Sequence, residues 1–182
     1  PKEHISISLN TVTKWGRYFR HRPLVISRAI AEKLISPLKW KMLEKKYNYI
    51  STTPDLSETY VYFPLHFQPE RTTSPEGGEY YNQVKFAKKI SQALPDNVKL
   101  YIKEHPSQFK NYRGWMGRSL KYYEDLREIS SVELISFGPD QYELIDNALA
   151  VVSVTGTAVI ESILRGTPAT AGGHPWYSQG LL

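Results

Sequence analysis

The sequence of 182 residues predicts an α/β fold in which a doubly wound parallel sheet follows an N-terminal helical segment. Three observations predict this fold. Short apolar, β-branched runs alternate with runs of helical period from residue 55 onward. The connections between them are short and rich in Pro, Gly, Asn and Asp. One run, residues 149–154, is almost entirely apolar, as in a strand of a parallel sheet that is covered on both faces.

The N-terminal third combines helical spacing with most of the positive charge. Apolar residues recur at helical spacing over residues 24–49, and Pro37 predicts a break between two helices. Residues 1–50 hold 11 Lys and Arg against 3 Asp and Glu, whereas residues 51–182 hold 12 against 15. We therefore assign residues 1–54 to a basic helical linker or packing segment. Its surface suits a membrane, a pyrophosphate or a nucleic acid, or it is simply a solvated face.

The second predicted domain, residues 55–182, begins after the turn-rich run Ser51–Asp55. Predicted strands cover residues 59–65, 98–103, 132–135 and 149–154, with a last short strand after Pro168. Predicted helices cover residues 79–94, 120–129, 141–147 and 157–164. Ligands of doubly wound sheets bind beyond the carboxyl ends of the strands. We therefore expect the chemistry in the loops that follow Leu65, Lys103, Ile135 and Val154.

The loop after the fourth strand is the strongest candidate for binding an anion. Ser153, Thr155 and Thr157 place three hydroxyls around Gly156 where a strand turns into a helix. Hydroxyls and the N–H groups at a helix start donate well to phosphate, although either threonine would equally serve as a helix cap. The loop lacks the Gly-Lys-Ser/Thr of nucleotide triphosphatases. Glu161, one turn further on, suits ribose hydroxyls, with a solvated helix residue as the alternative.

Two loops that contain histidine are predicted at the same edge of the sheet. His105 precedes a proline at the end of the second strand, where it and Lys103 can meet a phosphate, unless His105 is an ordinary surface residue. After the first strand come His66, Gln68 and Glu70. His66 and Glu70 are candidates for acid–base catalysis and Gln68 for binding a sugar, with a plain loop as the alternative.

The loop after the last strand contains two glycines followed by His-Pro and an aromatic pair. Trp176 and Tyr177 can stack on a sugar or a base, or pack into the core. Cysteine is absent and no spacing of metal ligands is convincing, so we expect neither a metal nor another cofactor. No apolar run approaches the ~20 residues that span a bilayer, and no signal peptide is evident. A cytoplasmic location is therefore expected, and the chain is expected to be a piece of a longer protein.

These motifs, in this order, resemble the bacterial capsule polysaccharide biosynthesis proteins. The resemblance covers residues 55 to 178, the greater part of the chain. It is carried by Tyr60–Glu70, Lys103–Ser107, Thr155–Ala158 with Glu161, Gly166 and Pro168, and Pro175–Tyr177. The chain departs from the family at Ile160, where members often have a bulky aromatic residue, and at Thr167, where they often have Lys. These departures leave the identity of the donor open.

The resemblance implies a GT-B glycosyltransferase, with two Rossmann-like domains facing across a cleft, of which residues 55–182 would be the C-terminal, nucleotide-sugar-binding one. Members of the family look like transferases of 3-deoxy-manno-octulosonic acid from its CMP-activated form. By that similarity His105 would contact the CMP phosphate, beside the turn Thr155–Thr157. Such enzymes stabilise the departing phosphate without a metal. The base or nucleophile would lie on a missing N-terminal domain, so this chain alone should bind the donor without turning it over.

The resemblance also implies partners, and two other functions stay open. The expected acceptor is a glycan or a lipid-linked glycan, and the basic segment is expected to contact the inner face of the cell membrane peripherally. One alternative is a GT-B relative that binds a UDP-sugar, such as an epimerase, which does not need His105. The other is a non-catalytic interaction domain of a capsule assembly complex, which would have no affinity for nucleotides. Nucleic-acid binding is not expected, because no recognised module accompanies the charge.

Overall fold

One parallel sheet organises the part of the chain that the structure describes. The computed structural model describes residues 23–69, 76–110 and 114–177. The strands are β1 Tyr60–Pro64, β2 Lys99–Lys103, β3 Val132–Ile135, β4 Ala150–Ser153 and β5 Ala169–Ala171. Their order in the sheet is β3-β2-β1-β4-β5, and all four pairings are parallel. The predicted doubly wound sheet of Rossmann-like type is therefore confirmed.

The helices are α1 Pro23–Ile50, α2 Gln83–Ala93, α3 Leu120–Arg127, α4 Gln141–Asp146 and α5 Ala158–Leu164, with single 3₁₀ turns at Gly78–Tyr81, Pro106–Phe109 and Gly114–Gly117. The predicted helix over residues 79–94 is thus divided. Asn82 is extended and its side chain accepts the N–H of Lys85, so α2 starts after it. Ser119 and Asp140 cap α3 and α4 in the same way.

Helix α1 runs through Pro37 without interruption, so the predicted break into two helices is wrong. A proline inside a helix costs ~3 kcal/mol because it removes one donor and crowds the preceding turn. The helix nevertheless continues over 28 residues. The chain divides into two units, residues 1–38 and 39–182. Residues 1–22 of the predicted basic segment lie outside the described residues.

The second unit starts within α1 because the end of that helix is buried. Tyr47 has no exposed surface, its hydroxyl donates to the carbonyl of Ile135 at 2.6 Å, and its ring packs among three others, those of Phe109, Tyr123 and Phe137. Leu43 is buried in the same cluster. The last turns of α1 therefore belong to the core of the sheet domain, ahead of the turn-rich run at residues 51–55.

Apolar cores cover both faces of the sheet, as predicted. Side chains alternate along β1, so that Val61 and Phe63 face one core and Tyr60 and Tyr62 the other. The first core also contains residues of α2 and α3, and the second contains residues of α4 and α5. In the second core, the ring of Tyr60 stacks on that of Tyr101 with centroids 4.4 Å apart. The central strands β1, β2 and β4 are largely buried, which explains why they lack polar residues in alternation.

The carboxyl ends of β1, β2 and β4 meet at one edge, as the sequence predicted. Pro64 is paired with Lys103, and the N–H of Leu65 donates to the carbonyl of Lys103 at 2.8 Å. Beyond β4, the N–H of Gly172 donates to the carbonyl of Ser153 at 2.9 Å. The loops that carry the predicted site residues therefore start side by side.

Candidate functional site

A cavity of about 290 Å³ opens at this edge. Its wall comes from the loops after β1, β2, β4 and β5, which are far apart in the sequence, and from Gln141 at the start of α4. Seven predicted site residues contribute to it, namely His66, His105, Ser153, Thr155, Gly156, Thr157 and Trp176. The sheet topology thus brings together polar groups that the sequence alone could only place at the same edge.

A second cavity, of about 360 Å³, adjoins the first. The two share Pro64, Leu65, His105 and Gln141 in their walls. The second cavity also contains Lys103, whose ammonium group donates to the carbonyl of Pro139. Burial lowers the pKa of Lys103, and Asp140 partly offsets this effect. Lys103 is therefore separated from the threonine turn, and a ligand that contacts both must extend across the two cavities.

His66 supports the turn after β4. Its Nε2 lies 2.9 Å from Ser153 Oγ and accepts the N–H of Thr155 at 3.3 Å. Ser153 Oγ in turn accepts the N–H of Gly156 at 3.2 Å, so its own proton is directed to His66. Because Nε2 is an acceptor, the neutral ring carries its proton on Nδ1. Two N–H groups of the turn are thus satisfied by the protein itself.

Burial lowers the pKa of His66 to about 4, and the electrostatic effects of His105 and Arg118 act in the same direction. An imidazole with so low a pKa stays neutral at physiological pH and accepts a proton poorly. The geometry therefore favours a supporting role for His66 over that of a general base. The other candidate for acid–base catalysis, Glu70, lies outside the described residues.

His105 presents the opposite ring nitrogen. Its Nδ1 accepts the N–H of Ser107 at 3.1 Å and caps the 3₁₀ turn that Pro106 begins. The neutral ring therefore carries its proton on Nε2. His105 belongs to the walls of both cavities.

Thr157 and Glu161 form a polar pair at the start of α5. Thr157 Oγ1 donates to Glu161 at 3.0 Å, and the amide of Gln141 donates to the other carboxylate oxygen at 2.7 Å. Thr157 makes no side-chain capping bond to the helix. A phosphate bound at Thr157 would therefore compete with Glu161 for the hydroxyl proton. Glu161 lies outside the walls of both cavities and contacts two wall residues, Thr157 and Gln141, so its role in binding ribose hydroxyls stays a prediction.

The two residues of the predicted aromatic pair, Trp176 and Tyr177, occupy different environments. Trp176 is 79% exposed and forms part of the wall of the first cavity. Tyr177 is buried, and its hydroxyl donates to the carbonyl of Gly156 at 2.6 Å. Trp176 is thus the aromatic face available for stacking, while Tyr177 supports the turn through the carbonyl of Gly156.

Gln68 lies outside the walls of both cavities. Its side-chain amide donates to the carbonyl of Tyr81 at 2.7 Å, and its side-chain oxygen accepts from Arg118 at 2.8 Å. The prediction that Gln68 binds a sugar therefore has no support from its position. Glu76, which the sequence did not single out, is part of the wall of the first cavity.

Sequence reasoning missed the buried ion pair of Glu104 and Arg118. Both side chains have no exposed surface, and Nε of Arg118 donates to Glu104 at 2.6 Å. Burial opposes the charged form of Arg118, but Glu104 raises its pKa overall. A glutamate beside His105 is visible in the sequence, yet no spacing rule joins it to an arginine 14 residues away.

The described residues offer neither a membrane span nor a metal site. No helix in residues 23–69, 76–110 and 114–177 is long and apolar enough to cross a bilayer. The same ranges contain no group of three or more acidic or histidine side chains that could hold a metal ion. Independence of a metal stays a prediction.

Comparison with known proteins gives one family and one fold. The model of the family described as capsule polysaccharide biosynthesis protein matches residues 7–181. No curated protein matches the chain. Among solved structures, the KpsC beta Kdo 2,7 transferase of Thermosulfurimonas dismutans is 15% identical, with a TM-score of 0.52 over 79% of this chain and 43% of that one. The KpsC beta Kdo 2,4 transferase of the same organism is 14% identical, with a TM-score of 0.49 over 81% and 46%.

At this level of identity the first of these structures supports the fold alone. The chain spans less than half the length of either solved structure. The activity and substrates of the longer proteins therefore do not transfer to this chain by similarity.

Proposed function

The chain belongs to the capsule polysaccharide biosynthesis protein family, and we propose that it is the nucleotide-sugar-binding part of a glycosyltransferase that builds surface polysaccharide. The observation that carries the proposal is the convergence of His105, the turn Thr155–Thr157 and Trp176 on one cavity. Imidazole and hydroxyl groups donate to phosphate, and an exposed indole stacks on a sugar or a base. The cavity lies at the sheet edge where α/β folds bind nucleotides.

The two adjoining cavities support a ligand with an elongated, nucleotide-like shape. In the proposed arrangement, the phosphate lies between the Nε2–H of His105 and the threonine turn. Glu161, held by Thr157 and Gln141, accepts from ribose hydroxyls. The similarity of the His105 motif to that of CMP-dependent transferases makes a CMP-linked sugar the proposed donor.

The proposed chemistry at this site is stabilisation of the departing nucleotide. When the glycosidic bond to phosphate breaks, negative charge grows on the phosphate oxygens, and donors already held in place lower the barrier. Here the His105 ring is held by Ser107, and the threonine turn is held by His66 and Tyr177. The acceptor, a glycan or lipid-linked glycan, and the group that activates it are assigned to a second domain of a GT-B enzyme.

Calorimetric titration with CMP, UDP and GDP tests the proposal. We expect CMP to bind most tightly and His105→Ala to weaken CMP by ~10- to 150-fold, because a charge-assisted contact is worth roughly 1.5 to 3 kcal/mol. Thr157→Ala should cost about 1 kcal/mol, and the two losses should be less than additive if both groups contact one phosphate. His174→Ala is the matched control, since His174 is exposed and outside both cavity walls.

Three results would contradict the proposal in different ways. Unchanged CMP affinity in His105→Ala would show that this histidine is an ordinary surface residue. Preference for UDP would favour the epimerase-like alternative. No affinity for any nucleotide would favour a non-catalytic interaction domain.

A further inference from the structure

The loops that hold the two histidines are joined by one buried guanidinium. Arg118 lies between the 3₁₀ turn Gly114–Gly117 and α3, outside the walls of both cavities. Its Nη2 donates to the carbonyl of His66 at 2.8 Å, and its Nη1 donates to the side chain of Gln68 at 2.8 Å. The guanidinium therefore holds the loop after β1 through both main chain and side chain.

The same guanidinium holds the loop after β2 through Glu104. Its Nε and Nη2 donate to the two carboxylate oxygens at 2.6 and 3.0 Å. Glu104 also accepts the main-chain N–H of His105 at 2.8 Å and the hydroxyl of Tyr123 at 2.8 Å. A fork of fixed geometry thus connects the main chain at His66 with the main chain at His105.

Two buried glutamines complete the hold on the first loop. Gln83 accepts the N–H of His66 at 2.7 Å and donates to its carbonyl at 3.3 Å. Gln108 accepts the N–H of Gln68 at 3.0 Å and donates to its carbonyl at 2.8 Å. Gln83 fixes the first loop on α2. Gln108 belongs to the 3₁₀ turn after β2, and its main-chain N–H donates to the carbonyl of His105 at 2.8 Å, so it links the two loops at Gln68. Arg118 adds the link between the main chain at His66 and, through Glu104, the main-chain N–H of His105.

We propose that Arg118 is a positioning residue that, through its buried pair with Glu104, sets the ring of His66 against the turn after β4 and the ring of His105 against the phosphate site. The inference rests on the proposed function, because it treats this cavity as the nucleotide site. Its physical basis is that both rings follow their main chains, and the guanidinium fixes those main chains relative to each other.

A purely structural pair would behave differently when both charges are removed. Removing one partner of a buried pair leaves an unpaired charge and destabilises the fold, whereas removing both charges is often nearly neutral. We therefore choose the double substitution Glu104→Gln with Arg118→Met. The introduced glutamine can still accept the N–H of His105, and the introduced methionine fills much of the volume of the lost arginine, so stability should stay close to that of the parent.

The experiment measures the melting temperature, CMP affinity and the state of His66 in the same variants. In the double variant we expect a melting temperature within a few degrees of the parent's, with CMP affinity lower on the order of tenfold, the usual size of effects from outer-shell partners. The amide of Thr155 should exchange with solvent at least several-fold faster, and ¹⁵N spectra should show loss of the Nδ1–H form of His66. Arg118→Lys keeps the charge but loses the fork. It should lower CMP affinity, speed exchange of the Thr155 amide and reduce the Nδ1–H form of His66 in the same way.

Arg165→Met is the matched control, because Arg165 makes a forked pair with Asp146 on the surface, away from the cavity wall. It should leave CMP affinity and His66 unchanged. The inference would be overturned by a double variant that binds CMP like the parent, keeps the Nδ1–H form of His66 and exchanges the Thr155 amide as slowly as the parent. If the double variant does not fold, parent-like behaviour of Arg118→Lys would overturn it instead. Absence of CMP binding in the parent would reject the proposed function alone, since His66 and Thr155 still report on positioning.

Discussion

At His66, one ring nitrogen receives two hydrogen bonds, and this arrangement requires the neutral ring. Burial lowers the pKa of His66 from 6.5 to about 4, so the unfolded chain takes up a proton before the folded protein does. The contribution of the neutral His66 ring to the free energy of unfolding is complete above pH 6.5 and is lost progressively as the pH falls toward 4. The shift corresponds to roughly 3 kcal/mol.

We predict that His66→Gln will remove part of the acid sensitivity of the fold. A glutamine oxygen can accept the N–H of Thr155 without titrating. The free energy of unfolding of the variant should therefore fall less than that of the parent between pH 6.5 and 4. Urea unfolding at several pH values measures the difference between the unfolding free energies of parent and variant. The contribution of the carboxylates is common to both proteins and cancels in this difference. Parallel stability curves for parent and variant would show that the ring of His66 titrates normally.

Gly156 is needed because the turn packs against two side chains. A β-carbon there would lie 2.7 Å from Ser153 Oγ and 3.0 Å from Cε1 of His66. We predict that Gly156→Ala destabilises the protein by about 1–3 kcal/mol and weakens CMP binding, because the turn and the ring must separate. Gly138→Ala is the control for the unfolding free energy, since its nearest contact would be an ordinary 3.8 Å to Ser136. Equal unfolding free energies for the two variants would contradict this account of the turn.

At the scale of elements, α1 combines a buried end with exposed positive charge. Leu43 and Tyr47 are buried against the sheet, whereas Lys41 and Lys45 are exposed. These two lysines are one turn apart, so they lie on the same side of the helix. The basic surface predicted for residues 1–50 stays a prediction, and these two lysines are the positions at which it is tested here.

We predict that the chain binds vesicles containing anionic lipid at low salt, and that Lys41→Glu with Lys45→Glu weakens this binding by more than tenfold. Surface attraction is worth ~1 kcal/mol per basic residue and is screened within about 8 Å at physiological salt. Co-sedimentation measures it. Lys88→Glu with Lys110→Glu, an equal change of net charge on exposed positions outside α1, is the control. If the parent does not sediment with the vesicles at low salt, the lysines of α1 form only a solvated helix face.

At the scale of the whole molecule, the cavity lies where the carboxyl ends of β1, β2 and β4 meet. Packing of the two cores brings these strand ends together, so the cavity exists only in the folded state. Any ligand of the cavity must therefore stabilise the fold. CMP at a hundred times its dissociation constant should add ~2.7 kcal/mol, which raises the melting temperature by roughly 5 to 10 °C.

We also predict that this chain alone does not transfer or hydrolyse the sugar of a CMP donor that it binds. The neutral, buried His66 is poorly suited to act as a base, and the acceptor site is assigned to another domain. A thermal-shift series combined with release of free sugar tests both parts. A thermal shift accompanied by turnover would place the activating group within these residues, with the exposed Glu76 of the cavity wall as the first group to examine.

The sequence determined the alternation of strands and helices and the edge at which the site lies. Apolar runs such as residues 149–154 are local signals of buried strands, and parallel strands must place their following loops together. His105 and the threonine turn were therefore expected at this edge from their positions alone, and both belong to the wall of the first cavity. Most element ends differ from the prediction by one or two residues. The helix predicted from residue 79 starts four residues later, at Gln83, because Asn82 caps it. The break at Pro37 was wrong because a long helix tolerates the loss of one hydrogen bond.

Only the tertiary structure decided which polar groups face the cavity and which support it. Trp176 and Tyr177 are neighbours in sequence, yet one lies on the cavity and the other beneath the turn. Gln68 was predicted from its side chain alone, but its amide is used by Tyr81 and Arg118. The pairing of Arg118 with Glu104 has no local signal. Hydrogen bonds between distant loops depend on how the chain packs, and no periodicity or spacing in one sequence encodes that packing.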